Sequence, residues 1–180
     1  FDVDPDLVEL CLRADWSDIA SERIGMEICK MLCAPHPRHG LEIAETLGVW
    51  SQLIPALGNL SETPIPAAID RLSELSEWVC SESRILALAL AILLEPLESG
   101  GIESAMDRLD IHRRDGLQLR HEILQAIQKS PKLRQDCSAR SLRWAAEDGE
   151  LVLALGLAWV GTPTEPLREA LQVAREIGIL

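Results

Sequence analysis

Ten consecutive apolar residues, 85–94, run without a polar interruption between Arg84 and Glu95-Pro96. The run is about half of what a helix needs to cross a bilayer, and Pro96 stops it from extending. A helix that is apolar on every side must be covered on every side by other elements. Segments at 101–109, 115–129, 137–147 and 150–160 can supply that cover. No long β-branched alternating run competes with them, and Leu, Ala, Ile and Glu dominate the composition, which favours helices. The reading is therefore all-α: about ten helices in an irregular multi-helix array around a central apolar helix. At 180 residues with 47% apolar content, the chain can bury a substantial core.

The first half divides at clear stop signals. Asp4-Pro5 fits an N-cap and first helical residue, opening a helix through Leu7, Val8, Cys11 and Leu12 that ends near Trp16. Ser21 fits the N-cap of the next helix, with Glu22 at its positive end and Ile24, Ile28, Met31 and Leu32 as one apolar stripe. Pro35 and Pro37 end it. A helix over 38–47 follows, with Gly48 placed for a left-handed termination. Residues 58–64 read as a loop and the joint between a region 1–58 and a region 59–180. Beyond it the pattern predicts a helix over 66–80 with Ile69, Leu72, Leu75 and Val79 on one face. Ser81 or Ser83 would cap the apolar helix. Thr164 and Pro166 would open a last helix carrying Leu167, Ala170, Leu171, Ala174 and Ile177. The helical hairpins are of uneven length, with no fixed-period repeat.

The net charge of −12 argues against general attraction to polyanions, but its distribution is uneven. Residues 108–143 hold nine Lys/Arg against four Asp/Glu, a balance of +5, whereas the remainder balances at −17. Arg113, Arg114, Arg120, Lys129, Lys132, Arg134, Arg140 and Arg143 are thus candidate contacts for the phosphates of a structured RNA, or a solvated face that balances an acidic protein. Arg113 and Arg120, seven apart, share a helix face. Trp144 could stack on a base or fill a core.

No catalytic constellation stands out. The histidines (His36, His39, His112, His121) form no His-Asp dipeptide, no Gly-rich phosphate loop occurs, and no serine sits in a Gly-x-Ser-x-Gly elbow. The five cysteines lack a second ligand pair at zinc spacing, so no metal is assigned, and they read as small residues of a reducing compartment. The start of the chain shows no charged n-region with a cleavage site, so the expected location is cytoplasmic, with no membrane partner.

Glu22-Arg23-Ile24, Glu27, Lys30 and Leu32, then Leu47-Gly48 and Leu53-Ile54-Pro55, carry a resemblance. Together with Phe1-Asp2-Val3-Asp4-Pro5, the segment 83–88 and Arg108-Leu109, they resemble the neck and body of class II RNA nucleotidyltransferases, the CCA-adding tRNA nucleotidyltransferases and bacterial poly(A) polymerases. The order of the pieces carries the likeness over roughly the first two-thirds of the chain. Leu7 stands where that family commonly has threonine, and Pro55-Ala56-Leu57 where it commonly has Pro-Glu-Leu.

The resemblance implies that 1–58 is neck-like and 59–180 body-like, and that Glu22, Arg23 and Glu27 brace the neck beside a nucleotide pocket. Read without it, Arg23 and Glu27 form an i,i+4 surface pair. It also implies a partner, the 3′ end of tRNA or another RNA, positioned for an N-terminal nucleotidyltransferase head. That head would supply the metal-binding aspartates, with Mg2+ and ATP/CTP; this stretch would hold no cofactor and be inactive alone. CCA addition is the favoured parent activity and poly(A) addition the sister reading. A helical protein–protein adaptor with no RNA partner is the rival from another class.

Overall fold

The computed structural model describes residues 3–160, except 17, 73, 76–81, 115 and 136–137, together with 172 and 176; the side chains at 82, 83, 134 and 139 are outside the description. Among the described residues there are eleven α-helices and no strand: α1 Pro5–Arg13, α2 Ser21–Leu32, α3 Pro37–Thr46, α4 Val49–Leu53, α5 Ile65–Asp70, α6 Glu82–Leu94, α7 Ser99–Arg108, α8 Leu119–Lys129, α9 Pro131–Gln135, α10 Ala139–Asp148 and α11 Glu150–Val160. The all-α reading stands. Two compact units interleave along the chain: Phe1–Asp70 with Leu93–His112, and Arg71–Ile92 with Arg113–Leu180.

In the first unit, α3 is the element on which the others gather: α2, α4, α5 and the short 3-10 turn at Leu60–Glu62 all pack against it. Its inward side is small and apolar, with Leu41 and Ala44 buried. Trp50 of α4 is buried against it and donates its Nε1–H to the Leu41 carbonyl at 3.2 Å. Gly48 takes the left-handed backbone its position foretold, with φ of 70°. A single donor pair then ties the far end of α5 back: Arg38 Nη1 donates to Asp70 at 2.6 Å. Gly25 of α2 lies so close to the chain after α7 that an added Cβ would fall 1.8 Å from the Leu109 carbonyl oxygen. Only glycine permits that approach.

The second unit is built on α11. Its residues Leu151–Ala158 are all buried, and α8, α9 and α10 pack onto it. Gly156 makes room for Leu133 of α9, whose Cδ2 would stand 2.6 Å from an added Cβ. Arg71 Nε donates to the Ala158 carbonyl at 3.0 Å, satisfying one of the acceptors that a helix end leaves open. Arg84 pairs with Glu150 at 2.9 Å at the other end. The expected apolar helix is also present: α6 is buried from Leu86 to Leu94. The sequence pointed to one helix apolar on all sides, whereas the fold holds two.

Several boundaries differ from the sequence reading. The first helix ends at Arg13, not near Trp16. Ser21 is the first helical residue; Ala20 is the N-cap, and no side chain caps this end. The helix expected over 66–80 breaks at Arg71, after α5. There the neighbouring side chains are drawn to different partners, Asp70 to Arg38 and Arg71 to the Ala158 carbonyl. The segment expected to start a helix at Asp115 instead forms a tight turn. Arg114 and Leu117 exchange backbone hydrogen bonds of 3.1 and 2.8 Å around Gly116, whose φ is 84°, and α8 begins only at Leu119. Asp4 caps α1 as expected, accepting from the Asp6 amide at 2.9 Å. Val79, the Ser81 cap and the helix expected after Thr164, apart from Gln172 and Glu176, lie outside the described residues.

Candidate functional site

Two places collect the residues singled out above. The first is the outer side of α2. Glu22, Arg23 and Glu27 are all exposed, because Ile24, Gly25, Ile28, Cys29 and Leu32 take the inward positions of the same helix. Glu22 lies in the first turn, where the helix dipole favours a carboxylate. The ion pair on this face is not the expected Arg23–Glu27: Lys30 Nζ reaches Glu27 Oε1 at 2.7 Å, across i,i+3. Arg38, at the start of α3, is held by Glu42 Oε1 at 2.7 Å and by Asp70 at 2.6 Å. The hydrogen bond that Arg38 donates to Glu42, then the one it donates to Asp70, pushes the Arg38 guanidinium pKa up.

Between α2 and α3 lies an open apolar pocket of about 300 Å³. Ile24, Glu27, Ile28 and Met31 line it from α2, and Gly40, Ile43, Ala44 and Leu47 from α3. Each set is spaced i, i+3, i+4, i+7, the repeat that puts side chains in one row along a helix. Val49 and Leu53 of α4 and Trp16 complete the lining. The sequence reading placed Ile24, Ile28 and Met31 on one apolar stripe and did not see the gap between the rows. Gly40 receives the Met31 side chain, whose Cγ would stand 2.4 Å from an added Cβ, and it carries no signal in a hydropathy pattern.

The second place is the basic segment, in the other unit. Arg113 and Arg114 flank the entry to the turn before α8 and are exposed, as is Arg140 on α10. Arg120 is half-buried. Lys129 pairs with Asp148, whose backbone carbonyl also accepts from Gln125 Nε2 at 3.3 Å. Arg143 pairs with Glu147 at 2.9 Å. Lys132 Nζ sits 4.5 Å from the centroid of the half-buried Trp144 ring, a cation–π geometry that covers the ring from that side. The Arg134 side chain is outside the description. Among the described residues, no three His, Cys, Asp or Glu side chains gather as a metal site, so no step in this chain is derived through Mg2+. No helix among them is long and apolar enough to cross a membrane.

What this geometry defines is an all-α module with an apolar groove in one unit and exposed arginines in the other. Residues 12–60 match the family model described as "Probable RNA and SrmB-binding site of polymerase A". The matched stretch runs from the end of α1 to Leu60, the first residue of the 3-10 turn, and contains Glu22, Arg23, Glu27 and the whole lining of the groove. No curated protein and no solved structure matches the chain.

Proposed function

We propose that this chain is the RNA-binding and RNA-positioning helical region of an RNA nucleotidyltransferase, with CCA addition to tRNA 3′ ends as the parent reaction. The observation that carries the reading is the match over 12–60, which falls on the same helices as Glu22-Arg23-Ile24, Glu27 and Leu47-Gly48. Poly(A) addition is the sister reaction, supported by the polymerase A wording of the match itself. In either, Glu22, Arg23 and Glu27 brace the neck, while Arg113, Arg114, Arg120 and Arg140 follow RNA phosphates. Lys129 pairs with Asp148, Lys132 lies over Trp144 and Arg143 pairs with Glu147 on the surface, and the reading gives these three a smaller share of the contact. A cytoplasmic location accompanies the reading.

Bond-making belongs to a head domain that holds Mg2+ and ATP or CTP. This region contributes orientation: holding a 3′-hydroxyl in line lowers the barrier without forming a bond. On this proposal the 180 residues alone add no nucleotide to tRNA, and a primer-extension assay checks that directly.

Binding of the full 180-residue chain to tRNA lacking its 3′ end, across a salt series, tests the positioning role. Affinity should fall steeply with salt, and replacing Arg113, Arg114 and Arg120 by Ala should lower the log–log slope by roughly one per lost phosphate contact. No binding at low salt, or a slope that the triple replacement leaves unchanged, overturns RNA contact through the basic segment.

A further inference from the structure

We infer that His36 and His39, at the turn between α2 and α3, form a two-imidazole site for a divalent transition-metal ion such as Zn2+ or Ni2+. The RNA reading gives these two residues no role, so either can fail alone.

The backbone brings the pair together. His36 stands between Pro35 and Pro37. A proline disfavours helical backbone in the residue before it, and His36 takes φ of −131° and ψ of 68° as the N-cap of α3. His39 is the third residue of the helix, in its first turn. N-cap and third position are the two whose side chains meet in a capping box. Here they carry two imidazoles whose ring centroids lie 5.9 Å apart, with the planes tilted by 52°. Zinc binds imidazole nitrogen at about 2.0–2.1 Å, which puts each centroid about 3.2 Å from the ion and two centroids on one tetrahedral ion about 5.2 Å apart. The pair is therefore about 0.7 Å from a ligating separation. Both side chains are exposed, so modest rotation about their χ angles closes that gap.

Ligand type selects the ion. Imidazole nitrogen suits Zn2+, Ni2+ and Cu2+, whereas Mg2+ takes oxygen. The site thus differs in kind from the Mg2+ centre of a nucleotidyltransferase head. The positive end of the α3 dipole opposes a cation here, and so would the Arg38 charge between the two histidines. Arg38, however, is turned to Glu42 at 2.7 Å and to Asp70 at 2.6 Å, one guanidinium against two carboxylates, a balance of −1. That excess carboxylate offsets the dipole. Among the described residues no group of three or more His, Cys, Asp or Glu could hold a metal ion. Two protein nitrogens therefore leave the other positions to water or to a ligand from outside, as in open metal sites.

Calorimetric titration of the full chain with ZnCl2 and with NiCl2 tests the site, and MgCl2 is the oxygen-preferring comparison. Zinc and nickel should bind and magnesium should not. His36→Ala and His39→Ala should each weaken nickel binding roughly tenfold or more, the scale on which metal sites lose affinity even to changes around their ligands. Both variants should fold, since His36 makes no side-chain capping bond and both side chains are exposed; circular dichroism checks it. His112→Ala and His121→Ala, at the other two histidines of the chain, should leave binding unaltered. So should Cys33→Ser, at the exposed cysteine that follows α2. Absence of zinc and nickel binding overturns the site, and so do equal losses from all four histidine variants, the mark of scattered surface binding. If Cys33→Ser abolishes binding while His36→Ala and His39→Ala retain it, the ion sits on a thiol and the inference fails.

Discussion

The α2–α3 hairpin and the basic segment 108–143 invert what their charges suggest. The hairpin lies in the stretch that matches an RNA-binding model, yet residues 12–60 carry six Asp/Glu against four Lys/Arg. The basic segment carries a balance of +5 and no match. Inside the fold the contrast narrows, because Lys129 and Arg143 are neutralised by carboxylates and Lys132 rests on an indole ring. A count of charges along a chain is therefore not a map of the potential on its surface. What remains outward in the basic segment is an arginine set centred on Arg113, Arg114 and Arg140, and what distinguishes the hairpin is shape.

The sharpest way to test that contrast is to make the same substitution in each unit. Gly25→Ala drives a methyl group into the Leu109 backbone carbonyl, which cannot swing aside. It should cost about 3 kcal/mol even after alanine's helix preference is credited, read as a lower urea midpoint. Gly156→Ala meets the Leu133 side chain instead. That side chain is buried but has rotamers to use, so the cost should be smaller, about 1 to 2 kcal/mol. Equal losses would mean that the two close approaches are equally rigid.

Lys129→Ala comes next. It leaves Asp148 without its partner at the α10–α11 corner, where the carboxylate side chain is 20% exposed, and should destabilise the chain by about 1 kcal/mol while RNA affinity changes little. A large loss of RNA affinity at unchanged stability would return Lys129 to the contact set. The smallest effect belongs to Arg23→Ala. Arg23 is exposed, and Glu27 pairs with Lys30 rather than with it, so thermal denaturation should register a change within about 0.5 kcal/mol. Its consequence should show only in nucleotide addition by a polypeptide carrying the head domain, where bracing of the neck matters.

Much of this was legible in the residues. Asp4 with Pro5, Gly48, and the apolar stripe of α2 act through bonds and contacts within a few positions of themselves, which is the range that pattern reading covers. The exposed position of Glu22, Arg23 and Glu27 followed from the apolar face of their own helix. The pairing of Lys30 with Glu27 did not, since i,i+3 and i,i+4 partners compete at nearly equal energy and rotamers decide between them.

The break at Arg71 was not legible either: the Arg71 side chain bonds a carbonyl at Ala158, far along the chain, and no nearby residue signals that contact. Nor was the pocket between α2 and α3, whose lining comes from two helices, α4 and Trp16.

The sequence by itself determined the helical class, the positions of most helices and the polarity of each face, because backbone hydrogen bonding and hydropathy period are local properties. Tertiary structure alone decided which cations stay outward, which glycines bear close contacts, and where an apolar surface remains open. Those outcomes depend on which distant residues arrive at the same place, and no spacing along the chain records that.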